Sequence, residues 1–257
     1  MSNNFATIHS IQTMGTLDGP GIRYVLFLQG CPFRCLFCHN PDTWNTIGNF
    51  SSTRDVEQNK VGFLNKKSVE SLVEDVLKYQ LFYKASNGGV TVSGGEPLLQ
   101  IKFLKEFYKE LKQYHIHTAI DTCGYVDITD DLKELLEYTD LFLLDIKHLD
   151  ADKHKLLTGK PNDKVLNFLD FINNKKPIWI RQVLTPNWTM DDEYIDSLIK
   201  FLKNYNIEKV ELLPYHEMGK EKYKKLGIPY RLKTRIPEKD EVNKIRELFI
   251  KNGFDTV

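Results

Sequence analysis

A chain of 257 residues with 41% hydrophobic content is long enough to bury one large core, because α/β barrels of about 250 residues commonly fold as one domain. Lys plus Arg and Asp plus Glu number 35 each, so a net charge of zero provides no bulk attraction to nucleic acid or to an anionic membrane. The N-terminus has no basic flank followed by an apolar stretch, and charges interrupt every long apolar run. We therefore expect a single domain over residues 1–257 that is cytoplasmic and binds neither nucleic acid nor membranes. A monomer is a separate expectation.

Short β-rich runs alternate along the chain with longer runs of helical period. The predicted strands are Ile22–Leu28, Gly89–Ser93, His117–Thr122, Leu141–Lys147, Ile178–Leu184 and Lys209–Pro214. The predicted helices are Val69–Tyr83, Leu98–Tyr114, Asp131–Tyr138, Val165–Asn173, Asp191–Asn204 and Lys239–Lys251. Parallel strands need long connections, which helices supply, so this alternation predicts an α/β fold of the partial (β/α)₆ TIM-like barrel type. A flat doubly wound sheet is the alternative, and in either fold the site belongs at the C-terminal ends of the strands.

The segment Asn45–Lys67 departs from this alternation. It is polar, rich in Asn, Ser and Lys, and has no convincing period. We interpret it as a surface insertion or lid within the domain.

Three of the four cysteines, Cys31, Cys35 and Cys38, lie within eight residues directly after the first predicted strand. Residues so close in sequence are poor disulfide partners, and the clustering indicates metal ligation in a reducing compartment. Three thiolates suit an iron–sulfur cubane with one iron left open to a substrate. The alternative is a structural zinc site with His39 as the fourth ligand. Cys123 lies far along the chain and is expected to be a small buried residue.

The C-x₃-C-x-aromatic-C pattern, with Phe37 as the aromatic residue, resembles the signature of the radical S-adenosylmethionine superfamily. More narrowly, the chain resembles the pyruvate formate-lyase activating enzymes of that superfamily. The matching segments follow in order along nearly the whole chain and are Ile8–Ser10, Gly15–Arg23, Gln29–Asn40, Asp42–Trp44, Gly94–Glu96, Asp121–Thr122 with Gly124, Leu144–Lys147, Trp179–Arg181 and Leu212–His216.

This resemblance implies the partial barrel and an enzyme with a 4Fe–4S cluster on Cys31, Cys35 and Cys38. Reductive cleavage of S-adenosylmethionine at the cluster would give a 5′-deoxyadenosyl radical, which takes hydrogen from a glycine in a loop of pyruvate formate-lyase. Flavodoxin or ferredoxin is the implied reductant. The activators of other glycyl-radical enzymes, such as anaerobic ribonucleotide reductase, remain an alternative. A non-catalytic electron-transfer or zinc-stabilised binding protein is a second alternative.

The resemblance also implies roles for individual residues. Those expected to contact S-adenosylmethionine are Phe37, Cys38, His39, Gly95, Asp145, Ile146, Lys147 and His216. Each has a simpler interpretation: an aromatic residue packs in cores, a glycine turn ends many strands, and a histidine at a strand end often has only a structural role.

Two further sites follow from the resemblance. A monovalent cation, Na⁺ or K⁺, would bind oxygens of Asp121, Thr122 and Asp145 and a carbonyl of Leu143, since hard cations prefer oxygen ligands. Alternatively, the aspartates accept hydrogen bonds from Lys147 or Arg181. Asp18 would lie near the target peptide, or only cap a turn. We interpret the basic stretch Lys220–Arg235 as a solvated surface.

Overall fold

The computed structural model describes residues 4–45 and 65–256. Its strands are β1 (Phe5–Gly15), β2 (Arg23–Leu28), β3 (Asn65–Ser68), β4 (Gly89–Gly94), β5 (His117–Thr122), β6 (Leu141–Asp145), β7 (Ile178–Leu184) and β8 (Lys209–Pro214). Its helices are α1 (Val69–Leu77), α2 (Gln80–Ser86), α3 (Ile101–Gln113), α4 (Asp130–Glu137), α5 (Ala151–Thr158), α6 (Asp163–Ile172), α7 (Asp192–Leu202), α8 (Lys220–Leu226) and α9 (Lys239–Lys251). Short 3₁₀ turns cover Pro41–Thr43 and Pro97–Gln100.

The order of the strands distinguishes between the two folds considered from the sequence. It is β3-β1-β2-β4-β5-β6-β7-β8, so β2 and then β4 to β8 follow one another in chain order, with β1 and β3 added beside β2. A doubly wound sheet would reverse its strand order at a switch point. The pairs β2–β4, β4–β5 and β7–β8 are parallel, whereas β1 pairs antiparallel with β2 and β3. The sheet is therefore mostly parallel with an antiparallel edge.

The chain forms two compact units, one of residues 1–32, 42–122 and 126–143 and the other of residues 33–41, 123–125 and 144–257. In the first unit, α3 packs against β5, and its Leu104, Phe107 and Leu111 are fully buried. In the second unit, β7 and one face each of α6 and α7 are buried, and the Tyr194 hydroxyl of α7 donates to Gln182 of β7 at 2.9 Å. The expectation of a single domain stays a prediction.

Helix starts follow local capping signals. Ser68 accepts a hydrogen bond from the Ser71 amide at the start of α1, and Asp191 does the same for Tyr194 at the start of α7. Such caps satisfy amides that have no partner within the helix. No helix in the two described ranges is long and apolar enough to cross a membrane.

Several elements differ from the sequence predictions. The predicted helix Val69–Tyr83 is two helices, α1 and α2, and strand β1 and helices α5 and α8 were not predicted. Of the predicted insertion, residues 65–67 belong to strand β3, which pairs with β1 and exposes Lys66 and Lys67. Residues 46–64 of that insertion lie outside the described residues. At β8, the Val210 amide donates to the Asp255 carbonyl at 2.8 Å, and Val210 forms a parallel bridge with Thr256.

Candidate active site

A glycine turn after β4 lies against the backbone that precedes the first cysteine. The Gly95 amide donates to the Leu28 carbonyl at 2.9 Å, and the Glu96 amide donates to the Gly30 carbonyl at 2.7 Å. A Cβ on Gly95 would lie 2.0 Å from the Gly30 carbonyl oxygen, so no larger residue fits without a backbone shift. Gly30 has a φ of 102°, a conformation that favours glycine. The turn therefore fixes the backbone directly before Cys31.

Glu96, which follows this turn, links it to the end of β5. The Glu96 side chain is fully buried, and its Oε1 accepts from the Leu98 amide at 2.9 Å and from the Thr122 hydroxyl at 2.6 Å. Beside it, Asp121 Oδ2 accepts from the Ser93 hydroxyl at 2.7 Å. The ends of β4 and β5 are thus joined by hydroxyl-to-carboxylate hydrogen bonds. The sequence analysis included Glu96 in a matching segment but predicted no contact for its carboxylate.

The segment 33–41, which carries Cys35 and Cys38, belongs to the second unit and is held there by the last turn of α5. The Arg34 amide donates to the Thr158 carbonyl and the Leu36 amide to the Leu157 carbonyl, both at 2.8 Å. The carbonyls in the last turn of a helix have no hydrogen-bond partner within the helix. These two bonds therefore satisfy the last carbonyls of α5 as well as two amides of the cysteine segment. The short α5 thus supports the cysteine segment.

The start of α8 also packs on the cysteine segment. A Cβ on Gly219 would lie 2.9 Å from the Cα of His39 and 3.1 Å from the Cys38 carbonyl oxygen. The Tyr223 hydroxyl donates to the Cys35 carbonyl at 3.4 Å. Part of the basic stretch that was interpreted as a solvated surface is therefore a support for the cysteines.

Two predicted cofactor residues form a stacked pair. The rings of His39 and His216 have centroids 3.9 Å apart and planes at 24°. Burial, and then the nearby His216, lower the pKa of His39, so its neutral form is favoured. The buried Nδ1 of His216 has no hydrogen-bond partner within the described ranges. A buried polar atom of this kind suits contact with a bound ligand.

Lys147 is a buried charged group of the second unit. Its Nζ lies 2.8 Å from Asp145 Oδ1 and 5.6 Å from the centroid of the Phe37 ring. Burial opposes the charged form, but Asp145 and Cys35 raise the pKa of Lys147 above its ordinary value. The buried ammonium therefore adds a positive charge to the part of the second unit that contains Cys35. The ion pair is also the alternative considered above for Asp145.

Two further residues of the predicted sites, Leu143 and Ile146, are apolar and buried. Leu143 is fully buried, and Ile146 is 1% exposed and donates its amide to the Arg181 carbonyl at 3.0 Å. The Arg181 guanidinium donates to Glu211 at 2.7 Å, an ion pair that was not anticipated. Leu143 and Ile146 can therefore serve a ligand through their backbones and apolar surfaces.

The donor set fits an iron–sulfur cluster. Cys35 is buried, Cys31 and Cys38 are half-buried, and no disulfide joins these described cysteines. In the part of the chain that the structure describes, no three His, Cys, Asp or Glu side chains form a preformed metal site. The fit therefore rests on three soft thiols at C-x₃-C-x₂-C spacing. Cys123 is 7% exposed, as expected for a small core residue.

Comparison with known families assigns the class of protein. A family model described as the Radical SAM superfamily matches residues 25–202, which include every predicted cluster ligand. The chain belongs to the radical SAM superfamily, a class of enzymes that use S-adenosylmethionine.

Curated relatives narrow the assignment. The chain is 48% identical over 244 residues to the pyruvate formate-lyase-activating enzyme of Staphylococcus epidermidis and 46% identical to that of Staphylococcus aureus, covering 92% of the chain and 92% of each relative. Within the superfamily, it belongs to the family of pyruvate formate-lyase-activating enzymes. It is therefore an enzyme, which argues against the non-catalytic alternative.

Solved structures agree with the fold. A domain of a pyruvate formate-lyase-activating enzyme from Bacteroides vulgatus is 26% identical, with a TM-score of 0.56, and the match covers 66% of this chain and 98% of that one. Streptococcus suis SuiB bound to its precursor peptide matches 88% of this chain and 46% of its own with a TM-score of 0.63, and at 18% identity it supports the fold alone. The predicted α/β fold class of the partial barrel type is confirmed.

Proposed function

We propose that this enzyme activates pyruvate formate-lyase by placing a radical on one of its glycines. The proposal is supported by the 48% and 46% identical relatives that carry this activity in their names and match over 92% of their length. When bound, a reduced 4Fe–4S cluster with S-adenosylmethionine supplies a 5′-deoxyadenosyl radical that removes the glycine α-hydrogen.

The chain's own residues bind and orient these groups. Cys31, Cys35 and Cys38 would hold the cluster, leaving one iron without a protein ligand. The glycine turn at Gly95 lets the backbone approach the cofactor without a Cβ in the way, as the close approach to Gly30 illustrates.

Further contacts to S-adenosylmethionine would come from the second unit. Phe37 provides an apolar wall, and His216 offers a buried ring nitrogen. Lys147 places a buried positive charge beside Asp145, and both can orient the cofactor's charged groups. The stacked His39 and the apolar Ile146 complete the predicted contacts. Burial of these side chains would keep water from the radical.

We further propose that a monovalent cation, Na⁺ or K⁺, binds oxygens of Asp121, Thr122, Leu143 and Asp145. The chemistry of the donor set supports this, because hard cations prefer oxygen ligands such as carboxylates, hydroxyls and carbonyls. We expect affinity for S-adenosylmethionine to fall about tenfold when tetramethylammonium, too large for such a site, replaces Na⁺ and K⁺. Calorimetry at constant ionic strength would measure this. Equal affinities in all three salts would contradict the cation site.

Two partners complete the proposal. The glycine-containing loop of pyruvate formate-lyase would bind near Asp18, which is only partly exposed and lies in the turn before β2. Flavodoxin or ferredoxin would supply the electron.

Electron paramagnetic resonance tests the proposed function directly. Anaerobic enzyme with reductant and S-adenosylmethionine should produce a glycyl radical on pyruvate formate-lyase, together with methionine and 5′-deoxyadenosine. A partner with its target glycine changed to alanine is the matched control and should give no radical. Cofactor cleavage without a radical on pyruvate formate-lyase, combined with a radical on an anaerobic ribonucleotide reductase, would replace the named target with the second activator class.

A further inference from the structure

Arg23 is a fully buried cation at the start of β2. Its Nε donates to the Thr91 hydroxyl at 2.9 Å, and its terminal nitrogens donate to the carbonyls of Val90 and Pro20. One of those nitrogens also lies 3.1 Å from His117 Nδ1, which accepts because a guanidinium can only donate. All of these partners are neutral.

Burying a guanidinium without a carboxylate is costly. Across residues 4–45 and 65–256, no carboxylate forms an ion pair with Arg23. Burial lowers the pKa of Arg23 to about 10, so the side chain is still charged at neutral pH. A neutral core residue would avoid this desolvation cost. The buried charge of Arg23 therefore indicates a specific role for its hydrogen bonds.

The hydrogen bonds of Arg23 lead to the turn that contains Asp18. The Thr91 hydroxyl accepts from Arg23 and donates its one proton to the Asp18 carbonyl at 2.6 Å. Gly19 has a φ of 117°, and a Cβ there would lie 3.5 Å from Arg23 Nε. The turn therefore lies close to the guanidinium, and Thr91 and Arg23 donate to the carbonyls of Asp18 and Pro20, on either side of Gly19.

We propose that Arg23 and Thr91 are positioning residues that fix the Asp18 turn for binding of the target protein. The proposal rests on the proposed function, in which the target loop binds near Asp18. Leu17, which precedes Asp18, is 79% exposed, so the turn presents an apolar side chain next to a carboxylate. A turn held in one conformation before binding loses less entropy when the target docks.

Thr91→Val is the variant that removes the link while keeping side-chain shape. Thr91→Ser, which keeps the hydroxyl, is the conservative rescue. Thr118→Val is the matched control, because Thr118 is also fully buried in the next strand and its hydroxyl donates to the Tyr138 carbonyl at 2.6 Å, away from the turn. Arg23 itself is left unchanged, since truncating a buried cation could prevent folding.

The first readout is hydrogen exchange, which needs neither cluster nor target. In Thr91→Val, amides of residues 15–22 should exchange about tenfold faster than in the unaltered chain, the size expected for one buried hydrogen bond. Thr91→Ser and Thr118→Val should leave these amides close to their original rates. Unchanged exchange in Thr91→Val, or equal acceleration in Thr118→Val, would overturn the proposal.

The second readout separates positioning from general stability. Thr91→Val should raise the KM for the target protein about tenfold with kcat within about twofold, and Thr91→Ser should restore the KM. Cleavage of S-adenosylmethionine without a target should stay unchanged. A fall in kcat with constant KM would overturn the positioning role. If the unaltered enzyme makes no radical on any target, the proposed function fails, and the exchange experiment still decides whether Thr91 fixes the turn.

Discussion

Substitution of one cysteine at a time provides the most direct test of the predicted cluster ligands. We expect Cys31→Ala, Cys35→Ala or Cys38→Ala each to abolish cluster assembly, because a cubane held at two corners is labile. Cys123→Ala is the matched control: Cys123 is as buried as Cys35 but lies outside the motif, and the variant should retain iron. Analysis of bound iron and sulfide after anaerobic reconstitution measures cluster assembly in the three motif variants and in the control. Loss of iron in the Cys123 variant alone would show that the ligands are wrongly assigned.

His117 should make stability depend on pH. Burial, and then the charge of Arg23, lower its pKa from 6.5 to about 4, with Lys112 also lowering it and Asp140 opposing the shift. Between these values the unfolded chain binds more protons, so the free energy of unfolding should fall as the pH is lowered from about 6.5 to about 4. Allowing for partial exposure, the loss should be about 1–2 kcal/mol.

The variant His117→Asn isolates this effect. Asparagine keeps an acceptor for Arg23 but does not titrate, so urea unfolding should show a smaller loss of stability in the variant between pH 7 and pH 4. Identical pH profiles for the two proteins would rule out His117 as the source.

At the scale of elements, the contact between α8 and the cysteine segment can be tested at its glycine. In Gly219→Ala, the added methyl group would lie 2.9 Å from the His39 Cα, so the start of α8 and the cysteine segment must move apart. We expect cluster retention on gel filtration to fall at least severalfold. Gly227→Ala, at the other end of α8, is the control: its Cβ meets nothing within 4 Å, although its φ of 66° adds strain of about 1 kcal/mol. Equal cluster loss in both variants would point to general destabilisation.

The elements whose bounds were predicted correctly carry their signal within their own sequence. Strands β5, β7 and β8 and helix α9 have the predicted bounds, since β-branched runs and a 3.6-residue apolar period are encoded within a few residues. Strand β1 has a mixed burial pattern and depends on pairing with β2 and β3. Helices α5 and α8 have only eight and seven residues, and their packing on the cysteine segment is not visible in their own sequences.

The site, too, could be predicted from sequence only where its residues lie in a recognisable motif. Its strand-end residues could be predicted from their motifs and from the resemblance, although their roles stay predictions. The link from Arg23 through Thr91 to Asp18 joins residues 68 and 73 positions apart, and no periodicity reports such a contact. Supporting contacts of this kind require coordinates.

At the scale of the whole molecule, the question is whether the two compact units unfold together or separately. Strand β6 is continuous, yet its first three residues belong to one compact unit and its last two to the other. We therefore expect a single unfolding transition, as predicted for one domain. The three tryptophans can report separately, because Trp44 lies in the first unit and Trp179 and Trp188 in the second. Fluorescence of Trp44→Phe and of the double variant Trp179→Phe/Trp188→Phe in urea should give coincident midpoints. Two separated midpoints would indicate independent domains.

The two ends of the strand order affect how the protein behaves at high concentration. A terminal strand with a free row of backbone donors and acceptors can template the addition of another chain, which leads to aggregation. At one end, β3 exposes Lys66 and Lys67, whose charges repel an identical strand. At the other, the backbone of β8 is already engaged by Asp255 and Thr256 at Val210. Both ends thus discourage the stacking of one molecule on the next, which favours a dispersed protein during concentrated anaerobic reconstitution.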